Sequence, residues 1–296
     1  MFPTLVFESL TATFLSGILW TTGFRRRVFR RNLELMGLKS NIRWRWLRWS
    51  LCFHASSDLI ALILNSRRTP KISIRSKARL DKMKTGPSFL LTAHFHNWEF
   101  LGRELHRQGV SLLAAAKPMH NLRAERLLRG LRKRIGVATV SDGVPRAGLR
   151  HLQGGGCFAV LWDQHSPQSD SLGNFSGNMV QMNPLPEFLL GHRPCPVYFG
   201  ALLPGNHLRL IALLSSFEEG WEQKLIVRYH RVLEFLIRKH PEYWYGFFHA
   251  RFKNTATYPG HRTLRQAHET ALNPLPHFSH SASLFPRFNM GIGIGG

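Results

Sequence analysis

From Arg25 to about Leu64, apolar and aromatic positions recur at helical spacing among charged ones, with Gly37 as the main interruption. That spacing predicts a helical region. Beyond Pro70 the period changes, and short apolar runs alternate with longer stretches of 3.6-residue periodicity. The runs 71–75, 88–93, 111–116, 137–140, 157–162, 195–203 and 208–213 predict strands, and 97–108, 121–135, 145–153, 184–190 and 221–240 predict helices. Strands interleaved with helices predict an α/β sheet with helices on both faces. After Asn254 the chain turns Pro-, His- and Ser-rich and ends Gly-Ile-Gly-Ile-Gly-Gly, which reads as a loosely ordered tail. The expected division is therefore 1–66 basic and helical, 67–253 α/β, and 254–296 tail.

Composition sharpens this outline. Forty Lys and Arg against 17 Asp and Glu give a net charge of +23 in 296 residues, which implies an anionic partner: nucleic acid, or an acidic membrane surface and its lipids. Three cysteines, Cys52, Cys157 and Cys195, without metal-ligand spacing argue against a disulfide framework or a Cys-type zinc finger. The apolar stretch Leu10 to Phe24 is short for a membrane span and is followed at once by Arg25-Arg26-Arg27. A secretory signal carries its charge before the apolar stretch, so a membrane anchor or interface-lying segment and an ordinary buried helix are the two expectations. Trp44, Trp46 and Trp49 lie among the basic residues that follow, a mixture suited to an anionic lipid interface or to nucleic acid.

The candidate chemistry centres on Ala93-His94-Phe95-His96-Asn97-Trp98-Glu99, placed where the run 88–93 ends and a helical pattern begins. Ligands of open α/β sheets bind outside the carboxyl ends of the strands. A His at a strand end and a Glu in the next helical turn can hydrogen-bond, with Glu99 fixing the imidazole of His94 as a general base.

The spacing His94-(four residues)-Glu99 resembles the HX4D/E motif of glycerolipid and lipid A acyltransferases. The text around it is similar to the bacterial lipid A biosynthesis (lauroyl/myristoyl) acyltransferase family, whose members often read HFGNWE. Further landmarks follow in that family's order: Arg31-Asn32-Leu33, then Lys117-Pro118-Met119 through Arg132-Lys133-Arg134-Ile135-Gly136, then Asp163-Gln164. Phe175-Ser176-Gly177 and His240-Pro241-Glu242-Tyr243-Trp244 with Arg251-Phe252-Lys253 complete the set. Together they cover roughly residues 25–253. The chain departs from the family at Asn178-Met179-Val180-Gln181, where an "A.T..G" segment is usual, and at Tyr243-Trp244, where "QW" is usual.

The resemblance implies a mixed sheet flanked by helices behind a membrane-associating helical region, on the cytoplasmic face of a bacterial inner membrane. It also implies transfer of a fatty acyl chain from an acyl carrier protein or CoA thioester to a hydroxyl of a membrane glycolipid of the lipid A precursor type. His94 and Glu99 would be catalytic, with no covalent acyl-enzyme and no resident cofactor beyond the thioester co-substrate; the absence of GxSxG and of a Cys near His94 agrees. Arg132 is the candidate oxyanion donor and Arg134 its competitor. Arg123, Arg126, Arg129 and Arg132 recur every third residue, either a solvated face or a surface for phosphate or an acidic carrier. Asn97 and Asp163 could bind or position substrate, a loop-capping role being the alternative for Asp163; Arg251 and Lys253 could bind phosphate or snorkel at the surface.

Two rivals remain on the sequence. His94, His96, Asp163 and His165 could hold the metal of a hydrolase, with Glu99 completing the cage. A basic nucleic-acid binder fits the charge but lacks a zinc-finger, RNP-type or helix-turn-helix signature.

Overall fold

The computed structural model describes residues 2–38, 43–64, 71–118, 121–166, 169–249 and 251–252. Lys253 and the stretch after Asn254 lie outside the described residues.

Three helices open the chain: α1 (Phe2–Thr21), α2 (Arg26–Leu35) and α3 (Trp44–Leu64). α1 and α3 pack together, with Trp20 edge-to-face on Trp49. A helix end leaves its last carbonyls without intrahelical partners. Here buried Arg48 of α3 donates to those of Leu19 (3.1 Å) and Trp20 (3.0 Å), and to Phe24 (3.3 Å) just beyond. The basic residues of this region sit against its indoles: Arg26 and Arg30 over Trp44, Arg45 over Trp20. Leu10, Phe14 and Ile18 of α1 stay exposed, as do Trp46, Leu59 and Ile63 of α3, so the expectation of an ordinary buried helix fails for that face of α1. Among the described residues, α3 is the one helix long and apolar enough to cross a membrane, by length and composition.

The remainder is an α/β layer. Its seven-stranded mixed sheet has the order β1-β9-β8-β2-β5-β3-β4. The strands are β1 (Lys71–Ile72), β2 (Ser88–Thr92), β3 (Leu112–Ala115), β4 (Ala138–Val140), β5 (Cys157–Leu161), β8 (Val197–Leu203) and β9 (His207–Leu214). All neighbours run parallel except the hairpin β8–β9. The central strands β2 and β8 are buried at every position, as a strand covered on both faces must be. Between strands run α4 (Ile74–Thr85), α5 (Trp98–Arg107), α6 (Leu122–Arg134), α7 (Val144–Gln153) and α8 (Leu185–His192), with α9 (Trp221–Lys239) after β9.

Two elements were not expected. The predicted strand 71–75 is cut to β1, and α4 takes its last two residues, because Ser73 caps the helix by accepting from the N–H of Ser76. Beyond β5, β6 (Leu172–Phe175) and β7 (Asn178–Gln181) pair as a separate hairpin. Its turn, Ser176-Gly177, has positive φ at both residues (51° and 78°), the geometry two-residue hairpins demand.

Candidate active site

β2 and β5 lie side by side in parallel register, Ser88 opposite Cys157 through Thr92 opposite Leu161. Continued two residues past each strand, the same offset of 69 sets His94 beside Asp163. Both stand at the carboxyl edge of the sheet. His94 Nδ1 is 2.7 Å from Asp163 Oδ1, and the His94 backbone N–H donates to Asp163 Oδ2 at 3.0 Å. Trp244 Nε1 donates to the same oxygen at 2.9 Å. Asp163 is fully buried. Burial alone would push its carboxyl up, but the His94 imidazole and these hydrogen bonds outweigh it and hold the group at about 2. A carboxylate on Nδ1 fixes the tautomer with its proton there, so Nε2 keeps the lone pair that a base needs.

The loop bearing His94 is pinned by a segment far away in sequence. The His96 N–H donates to Tyr243 O (2.7 Å) and the Tyr245 N–H to His94 O (2.8 Å). His96 pays for this turn with a left-handed φ of 49°, uncommon for a side chain that bears Cβ. The segment is in turn held from α2: Asn32 Nδ2 donates to the carbonyls of Gly246, Phe247 and His249 at 3.3, 3.0 and 2.7 Å. Arg25 donates to Phe248 O at 2.9 Å.

Glu99 does not hold His94. Its carboxylate receives Arg132, whose Nε reaches Oε1 and Oε2 at 3.0 and 3.1 Å and whose Nη2 reaches Oε1 at 2.6 Å. The first turn of α5 aims Glu99 toward the last turn of α6, while the strand register supplies His94 with a different acid. The Glu99–Arg132 pair borders a narrow, mostly apolar cavity of about 40 Å³, whose lining includes Ala114, Gly102, Trp98, Thr92 and Leu161. Thr92 and Leu161 are the last residues of the two strands that lead to His94 and Asp163.

The other expected site residues divide. Asn97 is buried and caps α5, accepting from the Phe100 N–H at 3.0 Å. Arg134 Nη2 donates to the last carbonyls of α3, Leu62 O (3.3 Å) and Ile63 O. Arg126 lies exposed on α6. Arg251, expected at the surface or on phosphate, is fully buried instead; it donates to Gln164 O (2.8 Å) and Gln181 O (3.4 Å) and contacts Met182 Sδ (2.8 Å) and His230 Nε2 (3.0 Å).

The metal cage does not assemble. Among the described residues no three His, Cys, Asp or Glu side chains are grouped as metal ligands. His96 turns toward Asp58 (3.6 Å) and stacks on Tyr243.

One residue the sequence did not single out stands in the site. His249 lies with its ring 5.2 Å from that of His94. Burial first, then the neighbouring His94, push its imidazole down to about 4, so it stays neutral near pH 7. The only signal for it was its position two residues before Arg251 in a stretch already carrying family landmarks. No protein-family model and no curated protein matches the chain.

Proposed function

We propose that the protein transfers an acyl group from a thioester to a hydroxyl of an anionic membrane lipid, with His94 as general base and Asp163 as its orienting acid. The observation that carries this reading is the His94–Asp163 pair at the carboxyl edge of the sheet. A buried carboxylate on Nδ1 with Nε2 turned to the site is the arrangement that takes a proton from a hydroxyl. The hydroxyl oxygen attacks the thioester carbonyl, its proton passes to Nε2, and the tetrahedral intermediate collapses to ester and thiol. The thiolate leaves with the proton from His94.

The surroundings support this chemistry. The apolar cavity bordered by Glu99 and Arg132 suits the first carbons of an acyl chain, and Arg132, paired with Glu99, is the candidate donor to the oxyanion. The exposed apolar residues of α1 and α3, beside a strongly basic α2 and α3 start, suit an anionic lipid surface. A lipid A type acceptor, an acyl carrier protein or CoA donor and a bacterial inner-membrane location are what the sequence resemblance implies.

Mass spectrometry of the membrane lipids of cells carrying wild type, His94→Ala or no protein tests this reading. The expected result is a lipid heavier by one acyl group, present with wild type alone. Identical lipid profiles in all three would overturn it.

A further inference from the structure

The carboxamide of Gln164 lies against the reactive nitrogen of His94. Its Nε2 lies 3.2 Å from His94 Nε2 and 3.5 Å from His249 Nε2. His94 Nδ1 is committed to Asp163, so its Nε2 is an acceptor, and a carboxamide N–H is the donor that matches it. The second N–H of the same amide faces a second neutral imidazole nitrogen. Gln164 itself is fixed at its backbone, because buried Arg251 donates to its carbonyl at 2.8 Å. His249 is fixed at its own backbone by Asn32 (2.7 Å). The carboxamide thus hangs from an anchored backbone between two anchored imidazoles.

We propose that Gln164 is a placeholder for the acceptor hydroxyl: it occupies His94 Nε2 in the free protein, gives way when the hydroxyl arrives, and stays held by His249. The inference rests on the acyl-transfer reading for its purpose, and on geometry alone for its existence. An unoccupied Nε2 beside a bound thioester would activate any water that reached it, and the product would be free fatty acid. A tethered N–H denies water that position, while a lipid hydroxyl held by the rest of its binding surface displaces the weak bond. The second amide N–H stays on His249 Nε2 after displacement, so the carboxamide remains tethered beside the site. The low proton affinity of His249, set by burial with His94, Asp163 and Arg25 also acting on it, keeps its nitrogen available. Gln164 and His249 are positioning residues in this scheme.

Two measurements on the full chain in detergent test the proposal. The first is the imidazole ¹⁵N spectrum of histidine-labelled wild type, Gln164→Ala and Gln164→Met at neutral pH, with His94→Gln for assignment. Loss of the donor moves the His94 Nε2 resonance downfield in both Gln164 variants; an unmoved resonance in a folded variant overturns the proposal. Gln164→Met keeps the length of the side chain, so a fold defect in Gln164→Ala does not decide the matter. The second uses palmitoyl-CoA with anionic lipid vesicles and measures free palmitate against acylated lipid. The ratio should rise roughly three- to tenfold in Gln164→Met, the size of one neutral hydrogen bond; an unchanged ratio overturns the placeholder role. If wild type neither hydrolyses nor transfers, the acyl-transfer reading has failed, and the ¹⁵N spectrum still decides whether the carboxamide occupies His94.

Discussion

Two carboxylates stand close to His94 in the chain or in space, and they do different work. Asp163, 69 residues away, is wholly buried and takes three donors, two from His94 and one from Trp244. Glu99, five residues away, is partly exposed and takes Arg132. The difference teaches that sequence proximity selected the wrong acid. A helix N-terminus directs its first-turn side chains by the local path of the chain, here toward α6, whereas two adjacent parallel strands in register bring their continuations together whatever their separation. The acid that holds the imidazole was therefore set by sheet order, which a short motif does not encode.

If this contrast is right, the two acids should separate in stability. Asp163→Ala leaves the Trp244 and His94 N–H groups buried without an acceptor, and should cost about 2–4 kcal/mol in denaturant unfolding. Glu99→Ala leaves a partly exposed guanidinium without its carboxylate, and should cost less, about 1–2 kcal/mol. Equal losses would mean that both pairs are framework.

A smaller effect lies in the pH dependence of stability, where two groups act in separate windows. His249 is depressed to about 4, so the unfolded chain takes the proton first, and stability falls as pH drops from about 6.5 toward 4. Asp163 is held at about 2 against an ordinary 3.8; its contribution is complete above that ordinary value and is lost as pH falls from there toward 2. His249→Asn should flatten the first decline and Asp163→Asn the second. Unfolding midpoints measured from pH 7 to pH 2 would show whether the windows belong to these residues.

The smallest effect is on His249 itself. Because His94 is one of the groups that hold it down, His94→Gln should raise the pH at which His249 titrates, read from its imidazole NMR shifts. No movement would place the two rings farther apart than 5.2 Å.

Much of the sheet was legible in the residues. β2, β5 and β8 are continuous apolar runs, and their buried positions match that pattern. His94 was legible because it ends such a run just before a capped helix. α4 was not, since Arg75, Lys77, Arg79, Lys82 and Lys84 leave few apolar positions to show a period. The β6–β7 hairpin hid behind a turn that was read alone, without the short strands on either side. Asp163 stood out as a candidate but with an open role, because only the register of β2 on β5 makes it the partner of His94. Arg251 was misjudged for a related reason: a basic residue in a polar stretch reads as a phosphate ligand or a surface group, yet its guanidinium donates to the carbonyls of Gln164 and Gln181 in the interior. His249 depended on Asn32 of α2 clamping a segment more than two hundred residues later.

The central claim is that Asp163, not Glu99, sets His94 for catalysis. Its most direct test is the rate of acyl transfer to anionic lipid vesicles by Asp163→Asn and Glu99→Gln, side by side with wild type and both confirmed folded. The account predicts a loss on the order of 10³–10⁴-fold for Asp163→Asn, the scale at which an orienting carboxylate acts on a catalytic imidazole, and a loss of about tenfold for Glu99→Gln. Near-wild-type transfer by Asp163→Asn, with transfer abolished in Glu99→Gln, would contradict it.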